Sequence, residues 1–228
     1  MRELNTAGTV ERARSQLQLS ALRGSELIVP RLRGVSHAGA FCVAVVAAVV
    51  IVARAPTGRA TVAVVIYGAA LAALFGGSAL YHRWPGPARF KPLLQRIDHS
   101  TIFVFIAASY TPIALMVLHG VLAEVVLAMA WVGAAAGVAF SLGWIQAPRA
   151  VRAGSYLTLG WLAVIAVPQL LGAGGLMYSI GAIIYASQRP NPWPRTFGFH
   201  EIFHALVIAA AAAQYVAVLV WVLPAAHA

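Results

Sequence analysis

Two histidines four residues apart open the last long apolar stretch of the chain, in the sequence Phe199-His200-Glu201-Ile202-Phe203-His204. On a helix, residues at i and i+4 lie on one face, so both imidazoles could bind the same metal ion. The pattern H-E-x-x-H is typical of zinc proteases, in which the glutamate is the general base. A catalytic zinc ion needs three protein ligands and an open position. The third ligand must therefore come from elsewhere in the chain.

Few side chains could supply that ligand, because 61% of the residues are hydrophobic and only 10% are charged. A soluble domain has about 25% charged residues, so the composition predicts an integral membrane protein. An ionisable group at the centre of a membrane helix costs roughly 2.5–3.5 kcal/mol, which makes each one a candidate for function. The candidates within or at the ends of apolar segments are Ser78, His82, Asp98, His99, Glu124, His200, Glu201 and His204.

The apolar segments predict an all-α bundle of seven transmembrane helices, since crossing a ~30 Å hydrocarbon core takes about 20 residues. The spans are expected at about 35–53, 60–81, 98–118, 121–145, 153–171, 172–188 and 198–223. Residues 1–34 are polar and arginine-rich and lack the pattern of a signal peptide, so we expect them to be retained. Within them, residues 15–29 are either an interfacial helix or disordered, and residues 224–228 form a short tail.

The basic residues predict the orientation. With seven spans and a cytoplasmic N-terminus, 14 of the 16 Lys and Arg residues fall on the cytoplasmic side, as the positive-inside rule requires. The C-terminus is then external, and the location is the cell inner (plasma) membrane. We interpret the net charge of +10 as topology and contact with anionic lipids rather than nucleic-acid binding. Cys42 is the only cysteine and is expected to be a small buried hydrophobe.

This topology brings residues from three separate spans into one layer near the cytoplasmic face. The set contains three histidines, a carboxylate and a hydroxyl: His82, His200, His204, Asp98 and Ser78. Three neutral imidazoles suit Zn²⁺ and leave a fourth position for water, whose pKa zinc can lower to about 7. Asp98 is then the predicted general base. Ser78 is predicted to hydrogen-bond His82 or the water.

Four stretches resemble one protein family. Gly77-Ser78-Ala79-Leu80-Tyr81-His82 carries an S-x-x-x-H element, and Asp98-His99-Ser100 with Tyr110-Thr111-Pro112 resembles a D-H-S…Y-T-P element. Phe199–His204 resembles a terminal H-x-x-x-H element, and Pro30–Gly34 leads into His37. Together they are similar to the bacterial hemolysin III proteins, the prokaryotic branch of the progestin and adipoQ receptor family.

The resemblance implies a seven-helix membrane protein with a zinc site near the cytoplasmic face. It places the zinc ligands on His82, His200 and His204, with Asp98 beside the water and Ser78 in support. It also implies an activity like that of the eukaryotic relatives, which hydrolyse amides in the manner of ceramidases. For the bacterial members it implies haemolysis and membrane-lipid homeostasis.

Three functions remain open on the sequence. The first is a zinc-dependent hydrolase of a lipid amide or ester, whose substrate enters laterally between helices. The second is a non-enzymatic lipid sensor, pore or cytolysin with structural zinc. The third is an intramembrane H-E-x-x-H protease with Glu201 as base, although only His227 is ionisable after His204 and no acidic third ligand follows. Otherwise Glu201 is a first-turn carboxylate that pairs with Arg195. Imidazole also suits copper, iron and nickel.

Two further histidines receive ordinary interpretations. His37 is expected to cap the first helix or hydrogen-bond near its start, with a role in the zinc site as the less favoured alternative. His99 lies about 100° around the helix from Asp98 and is expected to face lipid headgroups or a neighbouring helix.

Overall fold

The computed structural model describes residues 30–56, 58–161 and 168–226. The predicted N-terminal segment up to residue 29, including the possible interfacial helix at 15–29, lies outside the described residues. So do His227 and the end of the predicted tail.

Seven helices of more than ten residues follow one another in the described chain. They are α1 Val35–Arg54, α2 Arg59–Arg83, α3 Lys91–Met116, α4 Gly120–Gly143, α5 Arg149–Trp161, α6 Pro168–Ser187 and α7 Phe199–Ala217. A π-helical turn, Val218–Val222, and a final turn, Leu223–Ala225, continue α7. No β-strand occurs in these residues, apart from a single bridge between Trp193 and Phe197. The all-α prediction is confirmed for the part of the chain that is described.

Five helices are long and apolar enough to cross a membrane, so the protein is a membrane protein. They are α1, α2, α3 with the 3₁₀ turn before it (Ala88–Met116), α4 and α7 with its continuation (Phe199–Ala225). Part of α6, Gly175–Ser187, is a shorter apolar helix. Residues 162–167, between α5 and α6, lie outside the description, and the predicted fifth span falls partly on them.

Two helices begin at other residues than the apolar segments of the sequence do. The third span was expected to begin at Asp98, but α3 begins at Lys91, about two turns earlier. Pro92 lies in its first turn, where a backbone N–H has no partner within the helix, so a proline is tolerated there. Pro168 likewise belongs to α6 rather than to the interior of the predicted fifth span. Because α3 begins before Asp98, this residue lies within the helix, and its side chain is buried.

Helix α3 is the central element of the bundle. In its most apolar stretch 67% of the residues are buried, compared with 22% in the most apolar stretch of α1. Consecutive helices pack together from α1 to α4, α6 packs on α7, and α7 also contacts α1. Glycines allow close approach: Gly137 of α4 lies against Phe103 of α3. The prediction that Cys42 is buried is wrong, because it lies on the exposed side of α1, where lipid can cover an apolar residue.

Candidate metal centre

Three histidines from two helices form the cluster. His82 lies in the last turn of α2, and His200 and His204 lie in the first two turns of α7. One potential ligand atom of each histidine lies within 4.8 Å of the others. The closest approach joins Nε2 of His82 to Nε2 of His200 at 3.1 Å. The structure therefore brings together the three histidines that the sequence selected as metal ligands.

The spacing and surroundings of the imidazoles fit a metal ion. Zn–N bonds of about 2.0–2.1 Å in a tetrahedron put two ligand nitrogens about 3.3 Å apart, close to the 3.1 Å between His82 and His200. His204 is 2% exposed, and its Nδ1 has no hydrogen-bond partner within the described structure. A buried polar atom without a partner costs free energy. Metal binding by this ring would offset that cost.

Asp98 and Ser78 lie beside the cluster. Ser78 precedes His82 by one turn of α2, so both side chains point to the same side. The Ser78 hydroxyl lies beside the carboxyl of Asp98 on α3 and can donate a hydrogen bond to it. All of these side chains line one cavity with the histidines.

The cavity has a volume of about 1590 Å³. It extends from the histidines along α7 to Gln214 and Trp221, a distance of about 30 Å at 1.5 Å per helical residue. Apolar side chains supply most of its wall, with a few polar groups between them, as is typical of ligand-binding cavities. Its length and lining suit a long acyl chain with its polar end at the histidines.

Helix α5 adds two polar residues that the sequence reasoning did not select. Arg152 and Tyr156 are four residues apart and both line the cavity. Nη1 of Arg152 lies 3.1 Å from Nδ1 of His99, and Nη2 donates to the carbonyl of Ala147 at 2.8 Å. Nε of Arg152 and the Tyr156 hydroxyl have no partner among the residues described. They can therefore donate to an oxygen of a bound ligand.

The interpretation of Arg152 as a residue of topology alone was incomplete. It is buried, and its contact with His99 shows that His99 faces a neighbouring helix rather than headgroups. The four-residue spacing of Arg152 and Tyr156 places both on one helix face and could have indicated a shared role. It went unnoticed because the predicted fifth span began at residue 153, after Arg152.

Two expectations about neighbouring residues are corrected. His37 does more than stand at a helix start, because its ring stacks on that of His204, with 3.7 Å between centroids and 13° between planes. Glu201 does not pair with Arg195. Its carboxylate pairs with Nε of Arg33 at 3.3 Å and accepts the N–H of Gly198 at 2.8 Å. The carbonyl of Arg195 accepts the N–H of Arg31, and the Arg195 side chain is exposed.

The fold and the cluster define a class: helical membrane proteins with a histidine site shared between two helices of the bundle. The chain belongs to the family described as "Haemolysin-III related", which it matches over residues 26–215. The resemblance to the bacterial hemolysin III proteins is confirmed.

Three relatives illustrate the breadth of this family. The chain is 33% identical to Hemolysin-3 of Bacillus cereus over 75% of this chain and 80% of that protein. It is 30% identical to the human Monocyte to macrophage differentiation factor, over 67% of each chain. A shorter stretch is 41% identical to the Adiponectin receptor protein of Drosophila melanogaster, over 27% of this chain and 13% of that protein.

Proposed function

We propose that the protein is a zinc-dependent membrane hydrolase that cleaves an amide or ester bond of a lipid and serves membrane-lipid homeostasis. The observation that supports this most is the position of the cluster. His82, His200 and His204 share one cavity with the Asp98–Ser78 pair, and that cavity is long and mainly apolar. Its dimensions suit an acyl chain whose carbonyl lies at the histidines.

The three histidines would hold the metal ion. Zinc, when bound, supplies Lewis-acid polarisation of a carbonyl and acidification of water. Asp98 accepts a proton from the water that attacks the carbonyl carbon, and it returns a proton to the leaving amine or alcohol as the C–N or C–O bond breaks. The Ser78 hydroxyl can donate to this carboxylate and so orient it. Arg152 and Tyr156 can bind the polar part of the substrate from the opposite wall.

The topology belongs to the same proposal. The bundle crosses the inner (plasma) membrane seven times, with the N-terminus in the cytoplasm, the C-terminus outside and the histidines near the cytoplasmic face. The five apolar helices and the strong bias of basic residues support it. Its partners are membrane lipids, and the substrate enters laterally between helices. A C-terminal alkaline phosphatase fusion should be active in cells, whereas a C-terminal green fluorescent protein fusion that folds in the cytoplasm would contradict it.

The activity is tested by replacing Asp98 with asparagine, which keeps the shape of the side chain but removes the base. Purified wild type and Asp98→Asn are mixed with micelles that contain an N-acyl lipid or an ester lipid, and the released fatty acid is measured. We expect Asp98→Asn to reduce the rate by about 10²–10⁴-fold while zinc content stays the same. Glu124→Gln, at an exposed carboxylate, is the matched control. Equal rates for wild type and Asp98→Asn would refute the hydrolase.

The name Hemolysin-3 of the Bacillus cereus relative supports a second candidate, a lytic protein with structural zinc. The same variant separates the two functions. Lysis of red cells that persists in Asp98→Asn, with zinc still bound, would favour the lytic role. The carboxylate of Glu201 already binds Arg33 and Gly198, which argues against its use as the base of a protease.

A further inference from the structure

The two helices that carry the histidines share few direct backbone contacts, whereas α1 packs on both of them. A metal site needs its ligands at a fixed spacing, because Zn–N bonds tolerate only about 0.2 Å of variation. The segment that joins α2 to α7 therefore determines how well His82 meets His200 and His204. That segment is α1 together with residues 30–34 before it, here called the lead-in.

The lead-in is hydrogen-bonded to the turn before α7. The backbone N–H of Arg31 donates to the carbonyl of Arg195 at 3.1 Å, and that of Leu32 donates to the carbonyl of Thr196 at 3.3 Å. Beside these bonds, Nε of Arg33 reaches the Glu201 carboxylate at 3.3 Å. Glu201 is 2% exposed, so this ion pair is poorly screened by water. Glu201 directly follows His200 in the chain, and the ion pair therefore fixes the first turn of α7.

The other end of the lead-in rests on His82. Gly34 has a φ of 75°, and a Cβ atom there would lie 2.6 Å from Cβ of His82. Only glycine fits this backbone conformation and this distance together. One turn into α1, His37 stacks on the ring of His204 at 3.7 Å and meets Phe75 edge-on at 5.2 Å. The lead-in and α1 thus contact residues at both halves of the histidine cluster.

We propose that α1 and its lead-in are a clamp that sets the spacing of the three histidines, with Glu201 and Arg33 as positioning residues. The inference rests on the proposed metal centre but not on its hydrolytic activity. It gives the glutamate of the H-E-x-x-H sequence a task other than catalysis. Gly34 is then needed for the close approach to His82 as well as for its positive φ.

The ion pair is tested by the zinc dissociation constant, measured on detergent-purified full-length protein by competition with a chromophoric chelator. Loss of a partner that orients metal ligands typically weakens binding about 10–100-fold, and this is the effect expected for Arg33→Gln and for Glu201→Gln. The double variant should be no weaker than the worse single variant, because both changes break the same interaction. Arg31→Gln, at an exposed arginine of the same segment, is the control.

A purely structural role is separated from positioning by two further readouts. Thermal unfolding of the metal-free protein measures stability alone, and Arg33→Gln should lower it, because the buried carboxylate of Glu201 loses its cation. The absorption spectrum of the cobalt-substituted protein should change, since it reports ligand geometry. A lower unfolding temperature with an unchanged dissociation constant would overturn the clamp.

Gly34 provides the second test, with a control for backbone strain. Gly120 also has a positive φ, 60°, but a Cβ there would meet nothing within 4 Å. We expect Gly34→Ala to weaken zinc binding about tenfold and Gly120→Ala to leave it unchanged. Equal dissociation constants for Gly34→Ala, Arg33→Gln and wild type would overturn the clamp while leaving the metal centre and the hydrolase intact. A wild-type protein that binds no zinc would overturn the clamp and the metal centre together, whereas zinc binding without lipid hydrolysis would overturn the hydrolase alone.

Discussion

The two ends of the helix bundle keep their polar side chains in different places. At the end that carries the cluster, the site end, polar residues are buried: His37, Ser78, Asp98, His99, Arg152, Glu201 and His204. At the opposite end, His119 and Glu124 are exposed beside the short turn between α3 and α4. Burial of so many polar groups costs free energy unless each has a partner. The difference is what the proposed metal centre and hydrolase would require at the site end.

The largest effect should come from removing a histidine at the site end. His82→Ala leaves two ligands, too few for a catalytic zinc ion, so we expect zinc affinity to fall by more than about 100-fold. The dissociation constant of the purified variant measures this. His119→Ala removes a histidine at the opposite end and should bind zinc like the wild type. Equal losses in the two variants would break the comparison of the two ends.

Removal of the metal should destabilise the bundle from the site end. A ligand that binds only the folded state stabilises it by about 4 kcal/mol when its concentration is 1,000 times the dissociation constant. We therefore expect a chelator to lower the unfolding temperature of the wild type, followed by circular dichroism. His82→Ala should show no such change. If the chelator leaves the unfolding temperature of the wild type unchanged, the site does not hold a stabilising metal ion in the folded protein.

A smaller effect is expected from the ring that stacks on His204. His37→Ala removes the stacked face and should weaken zinc binding about tenfold. His37→Phe keeps a flat ring at this position and should retain most of the affinity. If His37→Phe is as weak as His37→Ala, a nitrogen of His37 matters more than its packing, and the clamp needs revision.

The smallest effect belongs to the opposite end. Glu124→Gln changes an exposed residue and should alter stability by less than about 0.5 kcal/mol. Zinc affinity and hydrolysis should be unchanged. A marked loss of either would show that the two ends are coupled and that the distinction between them is too simple.

The sequence predicted the histidine cluster because the orientation of the spans fixes the depth of each residue. Once seven spans were counted, His82 and His200 had to lie near the same face, and the structure places them together. Ser78 and Asp98 followed by the same reasoning. The length of the apolar segments predicted the five long helices, because a chain that crosses a membrane as a helix satisfies its backbone hydrogen bonds internally.

Lateral contacts between helices were not predictable in this way. Depth does not determine which helix faces which, so the stacking of His37 on His204 and the pair of Arg33 with Glu201 went unrecognised. Arg152 was missed because positive-inside reasoning treats arginines as surface charges, whereas this one is buried against His99. Cys42 was misplaced because an apolar segment does not reveal which of its faces meets lipid.

The central claim is that three histidines, His82, His200 and His204, bind one zinc ion. X-ray absorption spectroscopy at the zinc edge of the purified protein tests it most directly. We expect near-stoichiometric zinc with three imidazole nitrogens at about 2.0–2.1 Å, and loss of this spectrum in His82→Ala. Protein without zinc, or a wild-type spectrum with fewer than three imidazoles that His82→Ala leaves unchanged, would contradict it.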